Sequence, residues 1–146
     1  MKSKPLLIVA GEPNSVFLEI FFKSLKKIKS KSPIILICSK KLFLLQSKYF
    51  NTKISFRLIS IDDVLKKKYN HKVINLLDVN LEVNKPFSKI TTKSNIYIEN
   101  CFDVALKLLK KGASHKLING PISKKHFLKS KYLGITEYLA KKTNTK

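Results

Sequence analysis

Two ionisable side chains follow apolar segments at positions where a ligand could be recognised. Glu12 lies in residues 11–15, directly after the apolar run 6–10, and a carboxylate there has no evident packing role. The helix start after it could bind an anion through backbone N–H groups. Lys124 follows the glycine–proline pair at 120–121, where glycine allows close backbone approach and lysine supplies positive charge. Each segment is equally consistent with an ordinary turn, carrying a capping serine in one case and a surface lysine in the other.

Other catalytic and cofactor motifs are absent from the sequence. There is no G-x-G-x-x-G dinucleotide fingerprint and no G-x-x-x-x-G-K-[ST] phosphate loop. The histidines His71, His115 and His126 lack zinc-type spacing and suggest no Ser-His-Asp set. The cysteines Cys38 and Cys101 form no C-x-x-C pair, and their apolar contexts predict buried free thiols. A standard Rossmann site, a P-loop and a short-spaced zinc site are therefore excluded.

The elements that would position Glu12 and Lys124 follow from hydrophobic periodicity. Short apolar runs predict strands over residues 6–10, 34–38, 54–59, 73–77 and 116–119. Amphipathic stretches predict helices over residues 15–28, 39–49, 62–68, 95–111, 124–129 and 136–142. Ser15 and Thr136 are the expected N-caps of the first and last helix, and residues 78–92 are expected to form a connecting loop.

This alternation of strands and helices predicts the fold class and the edge at which a ligand binds. It is typical of an α/β fold with a mostly parallel sheet and helices on both faces. Ligands of such sheets collect at the carboxyl ends of the strands. Three segments meet that criterion: residues 11–15, 38–41 and 120–125.

The charge of the chain invites a nucleic-acid interpretation that its composition does not favour. The 146 residues carry a net charge of +21, from 30 basic and 9 acidic side chains, yet Arg57 is the single arginine. Arginine is the residue that reads bases and grips phosphate bidentately. We therefore expect no specific nucleic-acid partner and attribute most lysines to compositional drift, with a polyanion-binding basic protein as a further alternative.

Length and hydropathy bound the class of protein. A hydrophobic content of 44% excludes wholesale disorder, and the length fits one domain. No apolar stretch approaches the roughly 18 residues of a membrane span. The apolar run near the N-terminus is too short for a signal peptide. We expect a cytoplasmic protein with no membrane partner.

Three motifs, taken in order, carry a resemblance to a known family. They are Val-Ala-Gly-Glu-Pro at 9–13, Gly-Pro-Ile-Ser-Lys at 120–124 and Gly-Ile-Thr-Glu-Tyr at 134–138. The chain resembles the N-terminal half of the 4-hydroxythreonine-4-phosphate dehydrogenases of vitamin B6 biosynthesis. The corresponding family patterns are approximately P-G-E-P, G-P-[IV]-x-K and G-H-T-E. The resemblance covers essentially the whole chain.

The resemblance implies a fold, an activity and a set of ligands. The fold would be like that of isocitrate and isopropylmalate dehydrogenases, here incomplete. The activity would be NAD-dependent oxidation of 4-phosphohydroxy-L-threonine, followed by decarboxylation to 3-amino-2-oxopropyl phosphate. A divalent metal would be held by histidines expected beyond residue 146, in a homodimer whose partner completes the cleft. Thr136 carries over as a substrate-binding residue. Lys124 and Glu12 are further substrate-binding candidates at the cleft, and their position at strand ends, rather than the resemblance, favours them.

Two departures from the family pattern shape the prediction. Ile135 stands where the family has a histidine, so a non-catalytic or substrate-shifted paralogue that binds a phosphorylated small molecule is the alternative. The chain also has about half the family's length. Residues 1–146 are thus expected to be the N-terminal part of a longer two-domain dehydrogenase, without dehydrogenase activity alone.

Overall fold

A computed structural model describes residues 3–145 as five strands alternating with helices. The strands are β1 (Leu6–Val9), β2 (Ile34–Cys38), β3 (Phe56–Ile59), β4 (Ile74–Asp78) and β5 (Lys116–Asn119). The α-helices are α1 (Phe17–Leu25), α2 (Lys40–Tyr49), α3 (Ile61–Leu65), α4 (Thr92–Lys110) and α5 (Ile135–Lys142). A π-helical turn, Lys124–Leu128, follows β5.

The strands form one parallel sheet in the order β3-β4-β2-β1-β5 within the described part of the chain. Successive residues of a strand face opposite sides of the sheet. Leu7, Ile8 and Val9 of β1 are all buried, so both faces of the central strands are covered. The predicted α/β class with a parallel sheet is therefore confirmed. Continuous apolar runs form these central strands because neither face meets water.

Helix packing follows the apolar stripe of each helix. On α4, Ile98, Cys101, Phe102 and Ala105 are buried, and the helix packs against β1 and β2. Helices α1 and α2 pack together through an edge-to-face contact of Phe22 and Phe43. No helix within residues 3–145 is both long enough and apolar enough to cross a bilayer.

The two cysteines are buried and free, as predicted from their apolar contexts. Burial raises the pKa of Cys38 well above its usual range, and burial raises the pKa of Cys101 to about 12. Because the thiolate is the reactive form, burial disfavours nucleophilic chemistry at both groups.

Several helices begin at other residues than predicted, because their N-caps are not the predicted residues. Helix α4 begins at Thr92 rather than 95 because Thr91 is its N-cap, paired with Ser94 in a reciprocal capping box. The predicted N-cap role of Thr136 is wrong, since Gly134 occupies that position in α5. Ser15 is also not an N-cap, because Val16 holds that position in α1, although the Ser15 hydroxyl accepts a hydrogen bond from the backbone N–H of Phe17.

Two predicted strand and helix ends are shortened at the surface. Strand β3 begins at Phe56 rather than 54, and α1 ends at Leu25 rather than 28. Helix α3 likewise ends at Leu65 rather than 68, and Ser60 and Asp63 form a capping box at its start.

Replacing Thr91 with alanine is predicted to destabilise the protein. The change removes the side-chain acceptor for the backbone N–H of Ser94 and should lower the free energy of unfolding by about 1 kcal/mol. Thr92→Ala is the matched control, because Thr92 lies inside the first turn and should change stability by less than about 0.5 kcal/mol. Urea denaturation followed by circular dichroism measures both, and equal losses would contradict the assigned helix start.

Candidate functional site

The pairing of β1 with β5 brings two of the predicted segments together at the carboxyl edge of the sheet. In the parallel register Val9 lies opposite Asn119, so the turns that follow the two strands are adjacent. The backbone N–H of Gly120 donates to the carbonyl of Val9 at 2.7 Å. The backbone N–H of Glu12 donates to the carbonyl of Pro121 at 2.8 Å. The two turns thus form one surface at the end of the sheet.

Two glycines permit this approach because no side chain fits between the turns. A Cβ on Gly120 would lie 2.0 Å from the carbonyl oxygen of Ala10. A Cβ on Gly11 would lie 2.4 Å from the carbonyl oxygen of Pro121, and the φ angle of Gly11 is +77°. The left-handed conformation disfavours other residues at Gly11 on its own account.

Glu12 is buried at this edge with half of its carboxylate unsatisfied. Its side chain is 6% exposed, and Oε1 accepts hydrogen bonds from the backbone N–H and the side-chain amide of Asn14, both at 3.1 Å. Oε2 is buried and has no hydrogen-bond partner among the described residues. A buried acceptor without a donor costs about 1–3 kcal/mol, so this oxygen is suited to a donor group brought by a ligand or by water.

Two side-chain amides tie the segment before α4 to the Glu12 turn. Asn14 accepts a hydrogen bond from the backbone N–H of Ser88 at 2.7 Å and donates to the carbonyl of Lys89 at 3.3 Å. Gln46 is fully buried and donates to the carbonyls of Pro13 and Pro86 at 2.9 and 2.8 Å. Residues 86–89 are therefore held against the Glu12 turn.

Asn14 and Gln46 were missed in the sequence. An isolated asparagine after a strand and a glutamine within a helix carry no motif, and their partners lie 74 and 40 residues away. No sequence signal marks these two side chains, because any loop carbonyl or N–H can be the partner of such a hydrogen bond.

Lys124 and Thr136 are both exposed, and neither side chain makes a hydrogen bond to the Glu12 carboxylate. Lys124 opens the π-helical turn, whose first residues are held by a hydrogen bond from the His126 backbone N–H to the Ser123 hydroxyl. Thr136 is the second residue of α5 and makes no side-chain hydrogen bond within residues 3–145. Their roles as site residues remain predictions.

The residue after Thr136, Glu137, helps to hold the turn from which Thr136 projects. Glu137 Oε2 accepts a hydrogen bond from the backbone N–H of Leu133 at 2.8 Å, closing the turn that precedes α5. The helix is fixed to α4 by Tyr138, whose ring packs edge-to-face on Phe102. Ile135, in the position of the family histidine, is half-buried against the core.

The third predicted segment, residues 38–41, is occupied by structural contacts. The hydroxyl of Ser39 accepts a hydrogen bond from the backbone N–H of Leu42 and caps α2. The backbone N–H of Lys40 donates to Asp78 Oδ1 at 2.7 Å. Because these groups already satisfy one another, this segment offers less to a ligand than the turns after β1 and β5.

The described residues do not fit a metal site. No group of three histidine, cysteine or carboxylate side chains that could hold an ion occurs between residues 3 and 145. The three histidines lie in separate places: His71 beside the ring of Tyr69, His115 bonded to Lys4, and His126 in the π-helical turn.

The fold and the sheet edge define the class of the protein. It is a parallel α/β sheet that presents turns of glycine, proline and ionisable residues at the carboxyl ends of β1 and β5. The model of one family, described as pyridoxal phosphate biosynthetic protein PdxA, matches residues 29–146. The chain belongs to this family. The Glu12 turn precedes the matched residues.

Solved structures agree with the fold. A 4-hydroxythreonine-4-phosphate dehydrogenase from Klebsiella pneumoniae superposes with a TM-score of 0.82 and 24% identity, over 99% of this chain and 45% of that one. The same enzyme from Burkholderia phymatum superposes with a TM-score of 0.80 and 21% identity, over 99% and 44% of the two chains. The chain thus spans less than half the length of the structures it matches. No protein of curated function matches the sequence.

Replacing Gly11 with alanine is predicted to disrupt the joined turns. The methyl group would meet the Pro121 carbonyl, and we expect a loss of about 1–3 kcal/mol from this overlap in addition to the cost of the left-handed conformation. Gly112→Ala is a matched control, because the φ angle of Gly112 is +71° but nothing lies within 4 Å of the added carbon.

The difference between the two variants therefore measures the overlap alone. Gly112→Ala should cost about 1–2 kcal/mol, from backbone conformation only. Denaturant unfolding of both variants gives the comparison. If Gly11→Ala is no less stable than Gly112→Ala, the close contact of the two turns is not present in solution.

Proposed function

We propose that the chain is the N-terminal part of an NAD-dependent, divalent-metal-assisted dehydrogenase acting on 4-phosphohydroxy-L-threonine in pyridoxal phosphate biosynthesis. The product, after decarboxylation, would be 3-amino-2-oxopropyl phosphate. The assembled enzyme would be a cytoplasmic homodimer. Family membership and the names of the similar structures support the reaction class.

The observation that carries the proposal is the joining of the turns after β1 and β5. It places the buried Glu12 carboxylate, which has one oxygen without a protein donor, beside the backbone turn that leads to Lys124. A negative acceptor and a positive charge at one sheet edge suit a substrate that carries both hydroxyl or amino donors and a phosphate.

Each site residue has a distinct part in this proposal. Glu12 accepts a hydrogen bond from a donor group of the substrate, which satisfies its Oε2 atom. Lys124 contributes positive charge for the phosphate, and its long, exposed stem allows it to reach a ligand above the edge. The Thr136 hydroxyl, presented by the turn that Glu137 closes, hydrogen-bonds the substrate.

The metal and NAD do not fit the described residues, so no step is derived through them. The ligands of a divalent ion would have to come from outside this part of the chain. In the same way, most contacts to NAD would be made by other segments, because the turns described here lack a phosphate-binding glycine fingerprint. This chain supplies substrate-binding groups rather than the redox centre.

One observation favours the alternative of a substrate-shifted or non-catalytic paralogue. Ile135 is half-buried against the core and cannot donate or accept a side-chain hydrogen bond where the family pattern has a histidine. A chain of this kind would still bind a phosphorylated small molecule through Lys124 and Glu12. The affinities of the chain for 4-phosphohydroxy-L-threonine and for O-phospho-L-serine distinguish the two hypotheses. Only the dehydrogenase hypothesis requires tighter binding of 4-phosphohydroxy-L-threonine.

Binding of 4-phosphohydroxy-L-threonine is predicted to depend on Lys124. Removing its charge with Lys124→Gln should weaken binding by at least about tenfold, since a charge-assisted hydrogen bond contributes about 1.5–3 kcal/mol. Lys125→Gln is the matched control, because Lys125 is the exposed neighbour on the same turn and should change the affinity little. Isothermal titration calorimetry of the 146-residue chain gives both values.

The same preparation tests whether the 146-residue chain lacks the redox centre of the enzyme. We expect no NAD reduction by the 146-residue chain with this substrate and a divalent metal present. Reduction of NAD would contradict the absence of a redox centre from this chain. Equal loss of binding in the Lys124 and Lys125 variants, or no binding at all, would contradict the proposed substrate site.

A further inference from the structure

A cavity lies at the amino edge of the sheet, at the opposite end of the strands from the Glu12 turn. Three segments form its wall: residues 25–34 from the end of α1 to the start of β2, residues 53–55 before β3, and residues 71–74 at the start of β4. We call it the amino-edge cavity. Its volume is about 510 Å³, which is in the range of small-molecule sites.

Aliphatic side chains make up much of the wall of this cavity. Ile74 is buried at the start of β4, whereas Ile28 is 64% exposed beyond the end of α1. A ligand with an apolar body would remove such side chains from water, and this favours binding. The aliphatic residues of the lining are Leu25, Ile28, Ile34, Ile54, Val73 and Ile74.

The remaining residues of the lining are basic or carry a hydroxyl group, and no described residue of the lining is acidic. A lysine keeps its ammonium group in water while its stem covers apolar surface. None of the three lysines forms an ion pair with another residue between 3 and 145. The cavity therefore attracts an anion to its mouth. These lining residues are Lys29, Lys53, Lys72, His71, Ser30, Ser32 and Ser55.

The combination of the two surfaces indicates the class of ligand. Lysine is common throughout this chain, so the positive charge alone does not define a ligand. An inorganic anion gains nothing from the aliphatic wall, and a neutral apolar molecule gains nothing from the lysines. The described lining also holds no phenylalanine, tyrosine or arginine on which the bases of a nucleic acid would stack. A molecule with an anionic head and an apolar body uses both surfaces.

We propose that the amino-edge cavity binds a small amphiphilic anion, a carboxylate or phosphate monoester with a short aliphatic body. The body lies against the aliphatic wall, which includes Ile28 and Val73, and the head lies near Lys29 and Lys72. The inference does not depend on the proposed substrate or reaction, because no lining residue belongs to the turns after β1 and β5 or to α5.

Isothermal titration calorimetry of the 146-residue chain with octanoate tests the proposal. We expect one saturable site per chain. The affinity should increase by up to about fourfold per methylene group from hexanoate through octanoate to decanoate, because each methylene covers more of the aliphatic wall. Octanol, which has the same length and no charge, should bind at least about tenfold more weakly than octanoate.

The double variant Lys29→Gln/Lys72→Gln tests the basic side of the cavity. At low ionic strength it should weaken octanoate binding at least about tenfold, because it removes two of the three lysines at the mouth. Lys107→Gln/Lys110→Gln is the matched control, since it removes the same charge from exposed positions on α4, outside the cavity. An equal loss in the two double variants would overturn the proposal, because binding would then follow the net charge of the chain.

The variant Ile28→Gln tests the aliphatic side without adding a charge. It should reduce the affinity for octanoate at least about threefold, because it replaces an exposed part of the wall with a polar group. Ile96→Gln is the matched control: Ile96 is 55% exposed on α4, outside the cavity, and its replacement should leave the affinity unchanged. An Ile28→Gln variant that binds octanoate as tightly as the unaltered chain would overturn the proposal.

Backbone amide chemical shifts of the ¹⁵N-labelled chain locate the bound octanoate. Shifts that saturate within residues 28–34, 53–55 and 71–74 support the proposal. The same titration with octyl phosphate distinguishes the two heads: the probe that binds more tightly identifies the head as phosphate or carboxylate, and saturation at this cavity by either one supports the site. Absence of saturable binding would overturn the proposal. Octanol binding as tight as that of octanoate, or the largest shifts at Glu12 and Lys124, would also overturn it.

Discussion

The contact between the backbones of the β1 and β5 turns is the constraint on which the candidate site depends. With Gly11 and Gly120 at the crossing, the turns approach to distances that no Cβ atom would tolerate. This approach lets the Glu12 backbone N–H reach the Pro121 carbonyl, while Asn14 holds the Glu12 carboxylate by two hydrogen bonds. A single steric requirement therefore links two motifs that are more than 100 residues apart in the sequence.

The rest of the edge is organised around that contact by polar side chains rather than by the apolar core. Asn14 and Gln46 hold residues 86–89 against the Glu12 turn, and every donor of the Gln46 amide is used in doing so. Hydrogen bonds of this kind specify one arrangement of loops, whereas apolar packing beneath them tolerates several. Glu12 Oε2 and Gln46 Oε1 are both buried at this edge without a donor among the described residues, and such local costs are typical of sites that bind ligands.

Strands and helices could be predicted from the sequence because their signals are local. The central strands are continuous apolar runs, and the stripe of α4 from Ile98 to Ala105 repeats at helical spacing. The predicted starts of α4 and α5 were wrong because two neighbouring residues at each start could serve as the N-cap. At the start of α4, Thr91 and Ser94 satisfy each other and extend the helix by one turn, and at the start of α5 Gly134 takes the cap position beside the more typical Thr136. The bridges made by Asn14 and Gln46 could not be predicted, since their partners are close only after the sheet has formed.

We propose that the turns after β1 and β5 act together with the start of α5 as one substrate site. The most direct test is a titration of the ¹⁵N-labelled chain with 4-phosphohydroxy-L-threonine, followed by backbone amide chemical shifts. We expect the largest shifts at Glu12, Lys124 and Thr136, and we expect them to saturate with one dissociation constant. Shifts confined to the lysine-rich helix ends, rising without saturation, would contradict it and leave the positive charge of the chain as the only source of binding.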